Sequence, residues 1–161
     1  MHTSVVDAES MRSLGQKVAS VLRAGDVVVL DGPLGAGKTT FTQGLAQGLG
    51  VSGSITSPTF VVARVHRSLA DGPALVHVDA YRLSGASDID DLDFEQYGPH
   101  VLVMEWGGPF VQYVTEDWLH LRIDRDDVQL DADDPAGGTR AIEIEMHGPR
   151  WSQVDLVQVL A

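Results

Sequence analysis

Apolar positions in this 161-residue chain follow two periods, and the alternation between them lays out the expected elements. Met11, Leu14, Val18, Val21 and Leu22 recur at helical spacing, so residues 11–23 are expected to form a helix with Ser10 as N-cap and Gly25 as terminator. Val27-Val28-Val29-Leu30 is instead an unbroken, mostly β-branched run, the pattern of a parallel strand buried on both faces. Phe41, Leu45 and Leu49 return to helical spacing, with Gly50 placed as a stop. Ser57-Pro58-Thr59-Phe60 opens a second strand that runs to Val65, its start held out of helical geometry by Pro58. Ala74 to Asp79 forms a third.

Asp71-Gly72-Pro73 is a turn signal between the second and third strands, so those two are expected to be antiparallel and the sheet to be mixed. Ala80 to His100 breaks into short pieces rich in Asp, Ser and Gly, readable as one or two short helices on a mobile surface. Val101-Leu102-Val103-Met104 reads as a central parallel strand with Glu105 and Trp106 at its C-terminal end. Residues 118–124 and 141–146 alternate, predicting two half-exposed antiparallel strands. The segment Asp126 to Gly138 between them is acidic and without period, readable as a disordered loop, and a last helix is expected from Trp151 to Leu160.

Composition narrows the function classes. One domain, residues 1–161, is the expected organisation at this length. Neither an apolar run of membrane-spanning length nor a charged start followed by an apolar stretch is present, so a cytoplasmic protein with no membrane contact is expected; the absence of cysteine fits a reducing compartment. The net charge of −12 argues against a chain that grips nucleic acid by itself. Arg64, Arg67 and Arg82 flank the middle strands, and Asp88, Asp90, Asp91, Asp93 and Glu95 follow as an acidic cluster, either a solvated face or a docking face for a basic partner.

The chemistry begins at Gly32-Pro33-Leu34-Gly35-Ala36-Gly37-Lys38-Thr39, which fits G-x-x-x-x-G-K-[ST] between a strand and a helix. Glycines let successive backbone N–H groups turn inward around an anion, and the helix N-terminus adds its positive dipole end. Gly35, Ala36, Gly37, Lys38, Thr39 and Thr40 are therefore expected to hold the phosphates of ATP, with Lys38 reaching the β and γ phosphates and Thr39 ligating Mg²⁺. The implied architecture is α/β: a three-layer P-loop NTPase fold with a mixed, mostly parallel central sheet and an antiparallel C-terminal edge.

Ligands in such sheets sit beyond the C-terminal ends of the parallel strands, where Asp79 and Glu105 both end apolar runs. Glu105 is the expected further Mg²⁺ ligand, and Asp79 is expected to orient the attacking water or to act on Mg²⁺ at one remove; either acid could instead cap the next helix. His77 shares a strand face with Asp79 and, as a lone histidine in an apolar run, reads first as a hydrogen-bonded core residue and second as a catalyst. Trp106 reads as packing under the site or as a base or partner contact, and Arg82 as a γ-phosphate or partner contact or a solvated residue. The first helix could pack behind the loop or lie over the adenine.

The set Gly35-Ala36-Gly37-Lys38-Thr39-Thr40-Phe41, Ser57-Pro58-Thr59-Phe60, His77-Val78-Asp79-Ala80-Tyr81-Arg82-Leu83 and Met104-Glu105-Trp106 resembles the TsaE (YjeE) family of small bacterial ATPases, from the first helix to about Arg140. The resemblance implies a part in making threonylcarbamoyladenosine in tRNAs that read codons starting with A. It implies an ATPase, weak alone, that is stimulated by the threonylcarbamoyl transferase and its paralogue, proteins of TsaD and TsaB type, and resets their assembly without being the transferase. It also implies contact with tRNA only through that complex, Thr39 and Glu105 as magnesium ligands, and a switch over His77 to Arg82 that includes Tyr81. Asp93 stands where the resemblance leads one to expect a glycine, and the insertion at 126–138 has no counterpart. The alternatives are a stand-alone small-molecule kinase of P-loop type and a nucleotide-binding module without turnover.

Overall fold

The computed structural model describes residues 1–58, 62–125 and 138–161. Its seven strands are β1 (His2–Val5), β2 (Val27–Asp31), β3 (Ala63–His66), β4 (Ala74–Asp79), β5 (His100–Glu105), β6 (Trp118–Arg125) and β7 (Arg140–His147). The helices are α1 (Ala8–Ala19), α2 (Lys38–Leu49), α3 (Ala86–Asp91) and α4 (Leu156–Leu160). The strands form one sheet in the order β1-β7-β6-β2-β5-β4-β3. The inner four, β6, β2, β5 and β4, are mutually parallel, and the flanking pairs β3–β4, β6–β7 and β1–β7 are antiparallel. This is the mixed α/β sheet that the sequence predicts, parallel through its middle.

Alternation along the parallel strands divides the core into two layers. Val28, Leu30, Val101, Val103, Leu119 and Leu121 pack on α1 and α2, whereas Val27, Val29, Val76, Val78, Leu102 and Met104 pack on the other face against Ile89 and Val111. Period two therefore also decides which face each strand-end acid serves: His77, Asp79 and Glu105 continue the α2 face.

Several sequence expectations are corrected. α1 begins three residues earlier than predicted because Asp7, not Ser10, is its cap: Asp7 Oδ1 accepts from both the backbone N–H and the hydroxyl of Ser10. It also ends at Ala19, so Val21 and Leu22 pack from the turn that follows. β1, absent from the sequence reading, pairs with β7 and takes the sheet edge from it. β6 is antiparallel to β7 as expected but parallel to β2, and it buries Leu119, His120 and Leu121 in succession where alternation predicts His120 exposed. The expected C-terminal helix is two pieces, a 3-10 turn at Pro149–Trp151 and α4 capped by Asp155. The expected start of β3 at 59–61 and the insertion at 126–137 lie outside the described residues.

α1 packs behind the phosphate loop through glycines. A Cβ on Gly44 would overlap the backbone of Arg12, and one on Gly15 would overlap the backbone of Phe41 and Leu45. Met11 lies under the loop, its Cε 3.1 Å from where a Cβ on Gly37 would stand, so the packing reading of the first helix holds. Gly44→Ala should lower stability by about 1–3 kcal/mol by prising α1 from α2, although alanine alone favours a helix by about 1 kcal/mol over glycine. Denaturant unfolding checks the sign: a stabilised variant would contradict this close approach.

Candidate nucleotide site

β2 ends at Asp31 and the loop turns at Gly32, where an added Cβ would strike the Ile123 carbonyl of the neighbouring strand, so only glycine fits. Gly35 and Gly37 adopt φ of 77° and 110°, backbone that a side chain would strain. Gly37 is the N-cap of α2 and provides no side chain to cap it, which leaves the first-turn N–H groups of α2 directed at whatever sits before them. Arg125, at the end of β6, brings Nη1 to within 3.7 Å of where a Gly35 Cβ would stand, a neighbour the sequence reading did not include.

In front of this turn is a cavity of about 620 Å³. Of the residues named from the sequence, Gly35, Gly37, Lys38, Thr39, Thr40, Asp79, Tyr81, Glu105 and Trp106 line it. Ala36 is fully buried behind the loop, His77 is buried below the cavity floor, and Arg82 is exposed outside it. Leu34 and Ser57 also line it and were not singled out as site residues; Ser57 sits in the Ser-Pro-Thr-Phe segment, which was the available signal. None of the lining residues comes from α1.

The carboxylate of Glu105 is the centre of the polar network. Its Oε1 accepts from the Thr39 hydroxyl at 3.1 Å and lies 3.0 Å from His77 Nε2. Both bonds fall on the same oxygen. With Nε2 facing Glu105, His77 has its Nδ1 buried with no hydrogen-bond partner among the described residues, so it acts here as a buried prop. Asp79 stands beside Glu105 in the β4–β5 register, and its Oδ1 accepts from Tyr81 N–H at 3.0 Å, capping the 3-10 turn at Ala80–Arg82. Asp79 thus caps, and it lines the cavity as well.

Lys38 is buried, and its Nζ donates to the Gly32 and Pro33 carbonyls at 2.7 and 2.9 Å. Burial pushes its ammonium below the usual lysine range, while Glu105, Asp31 and Asp79 pull the other way. Its Nζ also lies 4.2 Å from the ring centroid of Trp106, and Tyr81 is tilted against the same ring at 5.6 Å. Trp106 therefore forms a wall of the cavity and does not pack beneath it. Its φ of 60° is left-handed and costs a bulky residue roughly 1–2 kcal/mol, strain of the kind that concentrates at functional sites.

Hard cations fit this donor set. Neighbouring ligands of a magnesium octahedron with bonds of about 2.0–2.1 Å stand about 2.9 Å apart. Thr39 Oγ1 and Glu105 Oε1, at 3.1 Å, stand within a few tenths of an ångström of that separation.

The sequence profile described as "Threonylcarbamoyl adenosine biosynthesis protein TsaE" matches residues 5–133 of the chain. A Streptomyces coelicolor protein named tRNA threonylcarbamoyladenosine biosynthesis protein TsaE is 55% identical over 153 residues, covering 94% of this chain and 99% of its own. The Bacillus subtilis protein of that name is 36% identical over 121 residues, 74% of this chain and 75% of its own. The crystal structure of Bacillus subtilis YdiB superposes with a TM-score of 0.72 at 29% identity, covering 99% of this chain and 93% of that one.

Proposed function

The chain belongs to the TsaE family and has a role in tRNA threonylcarbamoyladenosine biosynthesis; from that premise we propose that it is a magnesium-dependent ATPase that resets the threonylcarbamoyl transferase assembly. The observation that carries the ATPase reading is the placing of the Thr39 hydroxyl and the Glu105 carboxylate at the spacing of adjacent magnesium ligands, beside an α2 N-terminus that has no side-chain cap.

Each side chain then has a task. The loop N–H groups and Lys38 bind the phosphates of ATP, and Thr39 and Glu105 would hold Mg²⁺, which supplies charge neutralisation on the transferring phosphoryl group. His77 fixes the Glu105 carboxylate from below. Asp79 orients the attacking water with the carboxylate oxygen not used in capping Tyr81. Tyr81 and Trp106, on the cavity wall, register whether the site is filled and pass that state to Arg82 and the segment after it.

That segment, residues 80–97, is mostly exposed and consists of two 3-10 turns and the six-residue α3. It keeps the backbone shape of a glycine at position 93, since Asp93 adopts φ 45°. Ala80 and Ile89 anchor it in the core and Leu83, Leu92, Phe94 and Tyr97 pack against that core, while its mostly exposed polar positions are suited to being ordered by another protein. Transferase and paralogue, of TsaD and TsaB type, are the proposed partners, and tRNA meets this acidic chain only through them.

The test is the ATPase rate of the isolated chain, with and without the transferase heterodimer, beside a panel of nucleoside and small hydroxyl acceptors. Slow hydrolysis that rises on adding the heterodimer is expected, with hydrogen exchange slowing across residues 80–97. Asp79→Ala should keep nucleotide affinity within about a few-fold and lose most turnover. Phosphorylation of any acceptor well above the hydrolysis rate would make the protein a kinase, and equal loss of binding and turnover in Asp79→Ala would reduce that residue to a cap.

A further inference from the structure

On the sheet face opposite the phosphate loop, alternation along β6 and β7 assembles a second polar cluster. His120 is directly opposite Glu145, and Trp118 is opposite His147, so all four side chains share one face. His120, Glu145 and His147 each present one ligand atom, and these atoms lie within 4.8 Å of one another. The His147 ring stacks on Trp118 with centroids 4.2 Å apart and 9° between planes, and its Nε2 lies 3.3 Å from Glu145 Oε2. Arg122 takes the other oxygen, donating to Glu145 Oε1 at 2.6 Å.

His120 is the buried member, and its Nε2 lies 2.8 Å from Oδ2 of Asp31, the last residue of β2. A carboxylate that takes one imidazole N–H fixes the ring and leaves the second nitrogen as a lone-pair donor, the arrangement found behind metal-binding histidines. We propose that His120, Glu145 and His147 form a site for a divalent transition metal of the zinc type, with Asp31 orienting His120 toward it.

Two imidazoles and one carboxylate suit a borderline cation such as Zn²⁺ or Co²⁺, whereas Mg²⁺ prefers oxygen alone. The site is therefore chemically distinct from the pair Thr39 and Glu105, which offers only oxygen. Tetrahedral bonds of about 2.0–2.1 Å place ligand atoms about 3.4 Å apart, so the cluster must draw in on binding. Glu145 and His147 can do so, since their side chains are 35% and 37% exposed. Among the described residues the fixed charges there are the acids Asp31, Glu143 and Glu145 against Arg122 and, beside Asp31, Lys38, so the acids still hold a small excess that favours an added positive ion.

The experiment is titration of the full-length chain with Co²⁺ in excess Mg²⁺, followed by the visible absorption of the bound ion. One equivalent of Co²⁺ should give a band that Zn²⁺ abolishes. His147→Ala and Glu145→Gln, both at half-exposed positions, should each weaken binding at least about tenfold, and Asp31→Asn should do so through His120. Absence of a stoichiometric band in the parent, or unchanged affinity in either His147→Ala or Glu145→Gln, overturns the site.

Discussion

Lys38→Ala is expected to weaken ATP binding by at least about tenfold and up to about a hundredfold, the range for losing a hydrogen bond to a charged group. The reason is local. The Lys38 ammonium is buried, held by the carbonyls of Gly32 and Pro33, and surrounded by Glu105, Asp31 and Asp79. Without it, the phosphates of ATP would face those acids with one positioned cation fewer to offset the repulsion. Calorimetry in magnesium buffer measures the effect, and chelating the magnesium should weaken the parent as well. A Lys38→Ala protein that binds ATP as the parent does would refute the phosphate-loop reading. Because Lys38 also braces its own loop, thermal unfolding of the variant without nucleotide separates lost recognition from a collapsed loop.

How much of this was legible beforehand depends on how local each signal is. β2, α2, β4 and β5 come through because an apolar run, a helical stripe or the left-handed Gly50 is written within a few neighbouring residues. The meeting of Thr39 with Glu105 follows from the rule that parallel strands present their C-terminal ends together, and the structure brings the two side chains to 3.1 Å. β1 was not legible: His-Thr-Ser-Val has no period, and it becomes a strand only because β7, far along the chain, supplies the partner.

β6 shows the subtler failure. Leu119-His120-Leu121 looks like alternation with a polar residue facing water. In the structure His120 is buried too, since Asp31 satisfies it from β2. A pairing between residues 89 apart leaves no local trace, so neither the burial of His120 nor the cluster around it is written in the sequence of β6. The ion pair of Asp26 with Arg150, 124 residues apart, leaves no local trace for the same reason.

Asp26→Ala should be the most destabilising single change on the side of the molecule away from the nucleotide. Asp26 is 4% exposed at the entrance to β2, and Arg150 meets it with two bonds of 2.8 Å, Nε to Oδ1 and Nη2 to Oδ2. The same carboxylate accepts from the Arg23 backbone N–H at 2.9 Å, and Arg150 also donates to the Val21 carbonyl and lies over the Trp151 ring. One fork thus ties the C-terminal segment to the turn that launches the phosphate-loop strand. Removing the acid leaves a guanidinium whose side chain is only 12% exposed without its counter-charge, a loss of about 3–5 kcal/mol. At about 2–4 °C per kcal/mol for a chain of this size, the melting temperature should fall by about 6–20 °C. The expected asymmetry is the sharper test. Replacing both partners with apolar residues, Asp26→Leu with Arg150→Met, should recover most of the loss, because desolvating the pair offsets much of its Coulomb attraction. If the double variant is as unstable as Asp26→Ala, the cost lies in the Arg23 turn and not in an orphaned charge. A single variant that melts with the parent would show that the fork holds nothing together.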